Sequence, residues 1–368
     1  MRAPAMPPRG LPWPQQTHSL AKENAMFIRN AWYIGAWAHE VEQAPFPRTI
    51  MNEPIVFFRD HAGKVGALED RCCHRAAPLR FGQVVEGGLE CGYHGMVFDG
   101  SGQCVKIPAQ DKIPAKACVR HYAVVEKDEF IWIWMGDPEL ADESSIIDYP
   151  FHNDHERWPH KHAVYEIEAS YKLMVDNLMD MTHVGYVHKS TIGGNPNVHV
   201  DAKTVVTPGD NGLKYVRWLL NSPPPATYSK VVEFKGNIDR WAEFEYIAPS
   251  SIIQWTGGID VGKGAQENRD QDGVAIRVFH GLTPVTETSC LYFWAPAHGF
   301  RQDEPQITEA LYREIDTAFK EDKRIVEAQQ AMLLSTGEDR TVDLVSDAAR
   351  IQMRRVMQRL EKESNPVD

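Results

Sequence analysis

The sequence predicts an α+β chain: a small all-β unit with long loops, then an antiparallel sheet with helices grouped against it. Three observations carry this. Short apolar runs broken by Gly-containing turns fill the stretch from Phe27 to about Asp137. Longer strand-like runs recur from Asp201 to Pro296. Beyond Pro305 the apolar positions repeat at three and four residues, as on a helix packed along one face.

In order, residues 1–25 are rich in Pro and polar groups and lack the apolar core of a secretory signal. They are expected to form a disordered tail, with translation starting at Met26 as the alternative. "TIMNEPIVFFRD" and "VGALEDRC" read as strands joined by "HAGK", "DGSGQC" as a turn, and "EKDEFIWIWMGDP" as the final strand of a unit covering 26–150. An irregular link occupies roughly 138–159. In the second unit, 151–368, "YKLMVDNLMDMTHVGYVH" has helical spacing. "GLKYVRWLL", "YSKVVEFKG", "RWAEFEYIA", "SIIQWTGG", "GVAIRVFHGLTPV" and "TSCLYFWAP" read as strands. "QITEALYREIDTAFKEDKRIVEAQQAML" and "SDAARIQMRRVMQRLEKES" read as amphipathic helices.

Composition excludes several classes. Lys plus Arg number 39 against 51 Asp plus Glu, a net charge of −12 that disfavours a nucleic-acid-binding surface. No apolar run approaches the ~20 residues of a membrane helix. Six cysteines in 368 residues are too few for a disulfide scaffold and fit a reduced, cytoplasmic setting. Neither G-x-G-x-x-G after a strand nor G-x-x-x-x-G-K-[ST] occurs, so the chain shows no nucleotide site of its own.

Two constellations carry chemistry. "RCCHRAAPLRFGQVVEGGLECGYHG" gives Cys72-x-His74, then Cys91-x-x-His94. A C₂H₂ zinc finger places its two Cys first and its two His second. Here each loop supplies one of each, as a Rieske [2Fe–2S] centre requires, with two thiolates on one iron and two imidazoles on the other. The register makes Cys72 the ligand and Cys73 the intervening residue. Gly92, Gly95, Gly100 and Gly102 suit tight turns around such a cluster.

"DNLMDMTHVGYVH" holds Asn177, Asp180, His183 and His188. Two His and a carboxylate form the facial triad of non-haem Fe(II) oxygenases. On an ideal helix the two His lie about 140° apart, so they converge only if the helix ends or bulges between them, for which Gly185 offers a place. From spacing alone the carboxylate remains open: Asp180 serves as ligand or as neighbour, and Asp322 beside Glu321 serves as ligand or as part of a solvated face.

These motifs, with "MFIRNAWY", "WIWMGDP" and "EDKRIVEAQQ", resemble the oxygenase components of the Rieske non-haem iron aromatic oxygenases over nearly everything from Met26 to about Leu360. Within them the chain is most similar to the branch of vanillate O-demethylase, toluenesulfonate methyl-monooxygenase and dicamba O-demethylase. Met96, where many relatives have Trp, departs from the pattern without touching the ligand set. The resemblance implies a helix-grip catalytic domain, the cluster on Cys72, His74, Cys91 and His94, and mononuclear Fe(II) on His183, His188 and Asp322. It implies that Asp180 bridges the two metals between neighbouring subunits of a homotrimer, and that Asn177 lies near the iron. It implies monooxygenation by O₂ of a methyl or methoxy group on an aromatic acid, with electrons from a separate NAD(P)H-dependent reductase. Gln254 and His280 are the implied substrate contacts, and Arg313, about two and a half turns before Asp322 on the same helix, is a candidate partner for the substrate carboxylate. Ring dihydroxylation of the phthalate type is the alternative, and a Rieske electron carrier without oxygenase activity a further one.

Overall fold

The computed structural model describes residues 27–108, 110–200, 202–267, 269, 273–337 and 341–364; the tail over 1–25 and the start at Met26 lie outside them. The first eleven strands are β1 (Ala31–Trp37), β2 (Phe46–Ile50), β3 (Glu53–Arg59), β4 (Val65–Glu69), β5 (Gln83–Val85), β6 (Gly88–Glu90), β7 (Val97–Phe98), β8 (Cys104–Lys106), β9 (His121–Tyr122), β10 (Val124–Lys127) and β11 (Phe130–Met135). They form three small antiparallel sheets, ordered β2-β3-β4-β9, β5-β6-β7-β8 and β1-β11-β10. Two runs expected as single strands are hairpins. "TIMNEPIVFFRD" turns at Met51 and Asn52 (φ 51° and 63°), and "EKDEFIWIWM" turns at Asp128 and Glu129 (φ 53° and 66°). Two-residue loops with both φ positive match the strand twist. Neither loop carries the glycine that usually announces one.

The second half runs β12 (Ala163–Ile167), α1 (Tyr171–Leu178), α2 (Val184–Val187), α3 (Asn197–Val200), β13 (Lys203–Gly209), β14 (Gly212–Ser222), α4 (Ala226–Val231), β15 (Ile238–Ile247), β16 (Ser251–Asp260), β17 (Val274–Thr286), β18 (Ser289–His298), α5 (Pro305–Thr336) and α6 (Ala348–Ser364). Its seven strands make one antiparallel sheet, ordered β12-β18-β17-β16-β15-β14-β13. "YSKVVEFKG" was expected as a strand, but Ser229 and Val232 donate backwards to Pro225 and Tyr228 within a short helix. Pro225 fixes its start, and Tyr228 and Val231, three apart, are both buried.

Period-two alternation gives this sheet two different faces. Phe279, Leu291, Phe293 and Ala295 pack against Trp32, Trp37, Phe130 and Trp132 of the first half. Their neighbours Val278, Tyr292 and Trp294 turn the other way, toward Leu311, Ile315 and Phe319 of α5. The sheet thus backs onto the all-β half and curls round a helix, leaving its second face for a site.

Glu129 latches the two halves: its carboxylate accepts from His155 (2.6 Å) and His160 (3.0 Å), and His160 pairs by a β-bridge with Ala297. Next to it His152 is fully buried, and burial, then the neighbouring His160, lowers its pKa to about 3. Burial and then His39 lower His162 to about 4, and burial lowers His280 to about 3. Each stays neutral when folded but takes a proton near pH ~6.5 when unfolded, so the fold loses stability as pH falls from ~6.5 toward 4. A thermal melting midpoint that stays level from pH 7 to 4.5 would contradict this.

Candidate metal centres

The first centre is built from two loops with the same backbone pattern. Cys72 N–H donates to Ala77 and Cys91 N–H to Met96; Ala76 N–H returns to Cys72 O and Gly95 N–H to Cys91 O. The fifth residue of each turn is left-handed, Ala76 at φ 57° and Gly95 at φ 70°. Gly92 is required for a different reason: a Cβ there would lie 2.3 Å from Phe81 O, where the loops cross. Each turn buries its cysteine and exposes its histidine. Cys72 and Cys91 sit in a core with Leu79, Leu89, Met96 and Phe98, while the His74 and His94 rings face solvent 4.5 Å apart. Burial, with Cys91 alongside, pushes the Cys72 thiol up to about 11 against the pull of the His74 backbone. A Cys72 thiol this costly to ionise in the bare protein suits a cation that takes it as thiolate. Cys73 is turned away: burial and then Cys104 and Cys118 raise its pKa. The donor set therefore fits a [2Fe–2S] cluster with Cys72, not Cys73.

The second centre forms where α1 stops. His183 and His188 are the N-cap and C-cap of the one-turn α2, so both rings can turn to one side. The single helix expected over this stretch breaks between Met179 and His183, not at Gly185. Gly185 lies inside α2, where a Cβ would meet His199 at 2.9 Å. Asp322, 4% exposed, reaches in from α5, and its Oδ1 lies 3.3 Å from His183 Nε2 and 3.1 Å from His188 Nε2. One ligand atom from each of the three falls within 4.8 Å of the others.

The other ring nitrogens are already committed. His183 Nδ1 donates to the Asp180 carbonyl, and His188 Nδ1 donates to Glu321 Oε2 at 2.8 Å. This fixes both tautomers with Nε2 toward the centre. Burial alone would raise Asp322, but the rings of His183 and then His188 beside it hold it well below the carboxylate range. Asn177 Nδ2 donates to Asp322 Oδ1 at 3.0 Å, while its own Oδ1 is buried without a partner. Two imidazoles, one ionised carboxylate and an orphaned amide oxygen are a donor set suited to mononuclear Fe(II).

Sequence reasoning saw Glu321 only as part of a solvated face; its one signal as a partner of His188 is adjacency to Asp322. Glu321→Gln keeps the shape but weakens the grip on His188. It is expected to reduce iron affinity about 10–100-fold, measured as iron retained against a chelator, with the cluster spectrum unchanged. Asp180 caps the turn before α2, its Oδ1 accepting from Thr182 N and Oγ1 at 2.7 and 2.6 Å. It lines an open groove with Asp176, Asn177 and His183.

Behind this centre, between the sheet and α5, lies a small cavity partly open to solvent and lined largely by apolar side chains with a few polar ones, the kind of lining that small-molecule sites use. Gln254 lines it, its Oε1 accepting from His280 Nε2 at 2.9 Å; His280 Nδ1 is 2.7 Å from Tyr292 OH. Arg313 is not there. Its side chain is 74% exposed and pairs with Glu309 at 2.6 Å. Nine residues before Asp322, at about 100° per residue, it is half a turn out of phase and faces away.

Comparisons with known proteins cover both halves of the chain. The Rieske [2Fe–2S] domain profile matches residues 31–123, and the vanillate O-demethylase oxygenase C-terminal domain profile matches residues 167–363. A toluene-4-sulfonate monooxygenase system iron-sulfur subunit of Comamonas testosteroni is 39% identical over 92% of this chain and 99% of its own. A vanillate O-demethylase oxygenase subunit of a Pseudomonas strain is 35% identical over 91% and 95%. The crystal structure of dicamba monooxygenase bound to 3,6-dichlorosalicylic acid superposes with a TM-score of 0.86 at 33% identity, covering 93% of this chain and 99% of that one. With profiles for both domains and relatives matched over almost their whole length, the chain belongs to the Rieske non-haem iron oxygenases, as an oxygenase component of the vanillate O-demethylase type.

Proposed function

We propose that the chain is the terminal oxygenase that monooxygenates a methyl or methoxy group on an aromatic acid, drawing electrons from a separate NAD(P)H-dependent reductase. The carrying observation is a His183–His188–Asp322 triad, largely buried, beside a cavity lined mainly by apolar side chains, in a chain that also holds a Rieske cluster site. His183, His188 and Asp322 would hold the iron, and Cys72, His74, Cys91 and His94 the cluster, with a division between the two units near residue 150. Bound there, the iron supplies O₂ activation for inserting one oxygen atom into a C–H bond. The chain's own work is positioning. Asn177 steadies Asp322, Glu321 and the Asp180 carbonyl aim the imidazoles, and the cavity wall holds the ring and keeps water out.

Electrons must also arrive. His74 and His94 are exposed beside Phe81 and Tyr93, which are 75% and 61% exposed, while Asp180 lines a groove leading to His183. A head-to-tail homotrimer that seats the cluster face of one chain in the Asp180 groove of the next fits both surfaces. Sedimentation should then give a trimer, and Asp180→Asn should leave the cluster reducible while product formation falls. A cytoplasmic setting accords with six free cysteines; among the described residues no helix is long and apolar enough to cross a membrane.

The test is turnover with a surrogate reductase on methoxybenzoates, methylbenzenesulfonates and phthalate. Formaldehyde from a methoxy acid, or a benzylic alcohol from a methyl one, is the expected result. A cis-dihydrodiol from phthalate would move the assignment to ring dihydroxylation.

A further inference from the structure

The cavity wall carries positive charge that the site described so far does not use. Arg217 on β14 is paired with Ala242, and Arg240 on β15 with Leu219. The two arginines are thus diagonal neighbours on the same face of the sheet. They are 4% and 7% exposed. Arg217 donates to the carbonyls of Met181, at 2.6 Å, and His199. Arg240 donates to the Ile192 carbonyl at 3.1 Å and lies 5.4 Å from the Tyr228 ring centre. Among the described residues no carboxylate pairs with either. Burial, the dominant influence, lowers the pKa of Arg240, and Arg217 beside it acts the same way.

Such a wall is expensive in isolation. A buried cation without a counter-ion costs several kcal/mol, and two adjacent ones repel. Three buried polar atoms here also lack a partner: Arg217 Nε, His199 Nδ1 and Thr227 Oγ1, and all three residues line the cavity. The rest of the lining is largely apolar, including Val184, Ile192, Leu219, Ile276 and Phe319. Met181 and Val184, on either side of His183 in sequence, belong to the same wall. One desolvated anionic group with several acceptor oxygens would meet both guanidinium charges and the unpaired hydroxyl, while an aromatic ring lay along the apolar side.

We propose that Arg217 and Arg240, with His199 and Thr227, form the subsite that binds the oxyanion of the substrate, a ring carboxylate or sulfonate. The proposal rests on the aromatic-acid reading and gives it the anion contact that Arg313 does not supply.

Calorimetric titration of the iron-loaded holoenzyme with 4-methoxybenzoate, toluene-4-sulfonate and neutral 4-methoxybenzamide tests it. The wild type should bind the acids well above the amide. Arg240→Gln should lose about 30-fold or more of acid affinity, as for a hydrogen bond to a charged group, and Thr227→Val about 5-fold, both with amide affinity within about twofold of wild type. Arg217 also ties two backbone carbonyls, so Arg240 and Thr227 carry the test, and Arg240→Lys should restore part of the acid preference. KM for the acids should rise with kcat held. The tighter-bound acid identifies the anion as carboxylate or sulfonate. Equal losses for acid and amide in Arg240→Gln, or no loss, overturn the subsite while leaving the oxygenase reading intact. A wild type that neither binds nor turns over any of the three compounds overturns the aromatic reading itself.

Discussion

Asp322→Ala is expected to abolish turnover while leaving the protein coloured. The carboxylate is 4% exposed and faces two imidazoles whose other nitrogens are held by Asp180 and Glu321. Its removal leaves two donors where the triad needs three, and strips the Asn177 amide of its acceptor. Iron should fall from about three to about two per chain with sulfide unchanged, because the cluster sits in the other half of the molecule. Product formation should drop to that of enzyme stripped of mononuclear iron, and the visible spectrum should persist. Retained iron and activity in this variant would remove Asp322 from the ligand set.

The second large effect separates two adjacent cysteines. Cys72→Ser should yield colourless protein without acid-labile sulfide and with no electron transfer from the reductase. Cys73→Ser should remain red-brown and active. The difference follows from direction: Cys72 shares a buried core with Cys91, whereas Cys73 is turned toward Cys104 and Cys118. Loss of the spectrum in both variants, or in Cys73→Ser alone, would reverse the assignment.

Much of this was legible before the chain was folded. Ligand chemistry leaves a strong trace in spacing: a Cys-x-His and a Cys-x-x-His on separate loops admit few interpretations. Long elements were equally plain, since α5 and β14 to β18 carry their periodicity over many residues. What escaped was set by short-range geometry or by phase. The turns at Met51–Asn52 and Asp128–Glu129 depend on left-handed residues other than glycine. The α4 segment has only two helical repeats, too few to outweigh its β-branched composition. Arg313 was misplaced because proximity along a helix was read without its rotation. Arg217 and Arg240 were passed over because, in a strand, alternate charges look like a solvated face. Only the wrap of the sheet round α5 turns that face inward.

That inward face also bears on what happens after the chemistry. In the proposed subsite the arginine pair grips the end of the ring that oxidation leaves untouched, so the group it binds is identical in reactant and product. The strongest contact therefore offers no means of telling the two apart, and expulsion must come from the opposite end, where the methyl or methoxy group has changed. Such an enzyme is slowed by its own success. The accumulated product, a phenol or benzylic alcohol that keeps the same anion, should then compete with fresh substrate at an inhibition constant close to KM, and relief should come from whatever next removes it.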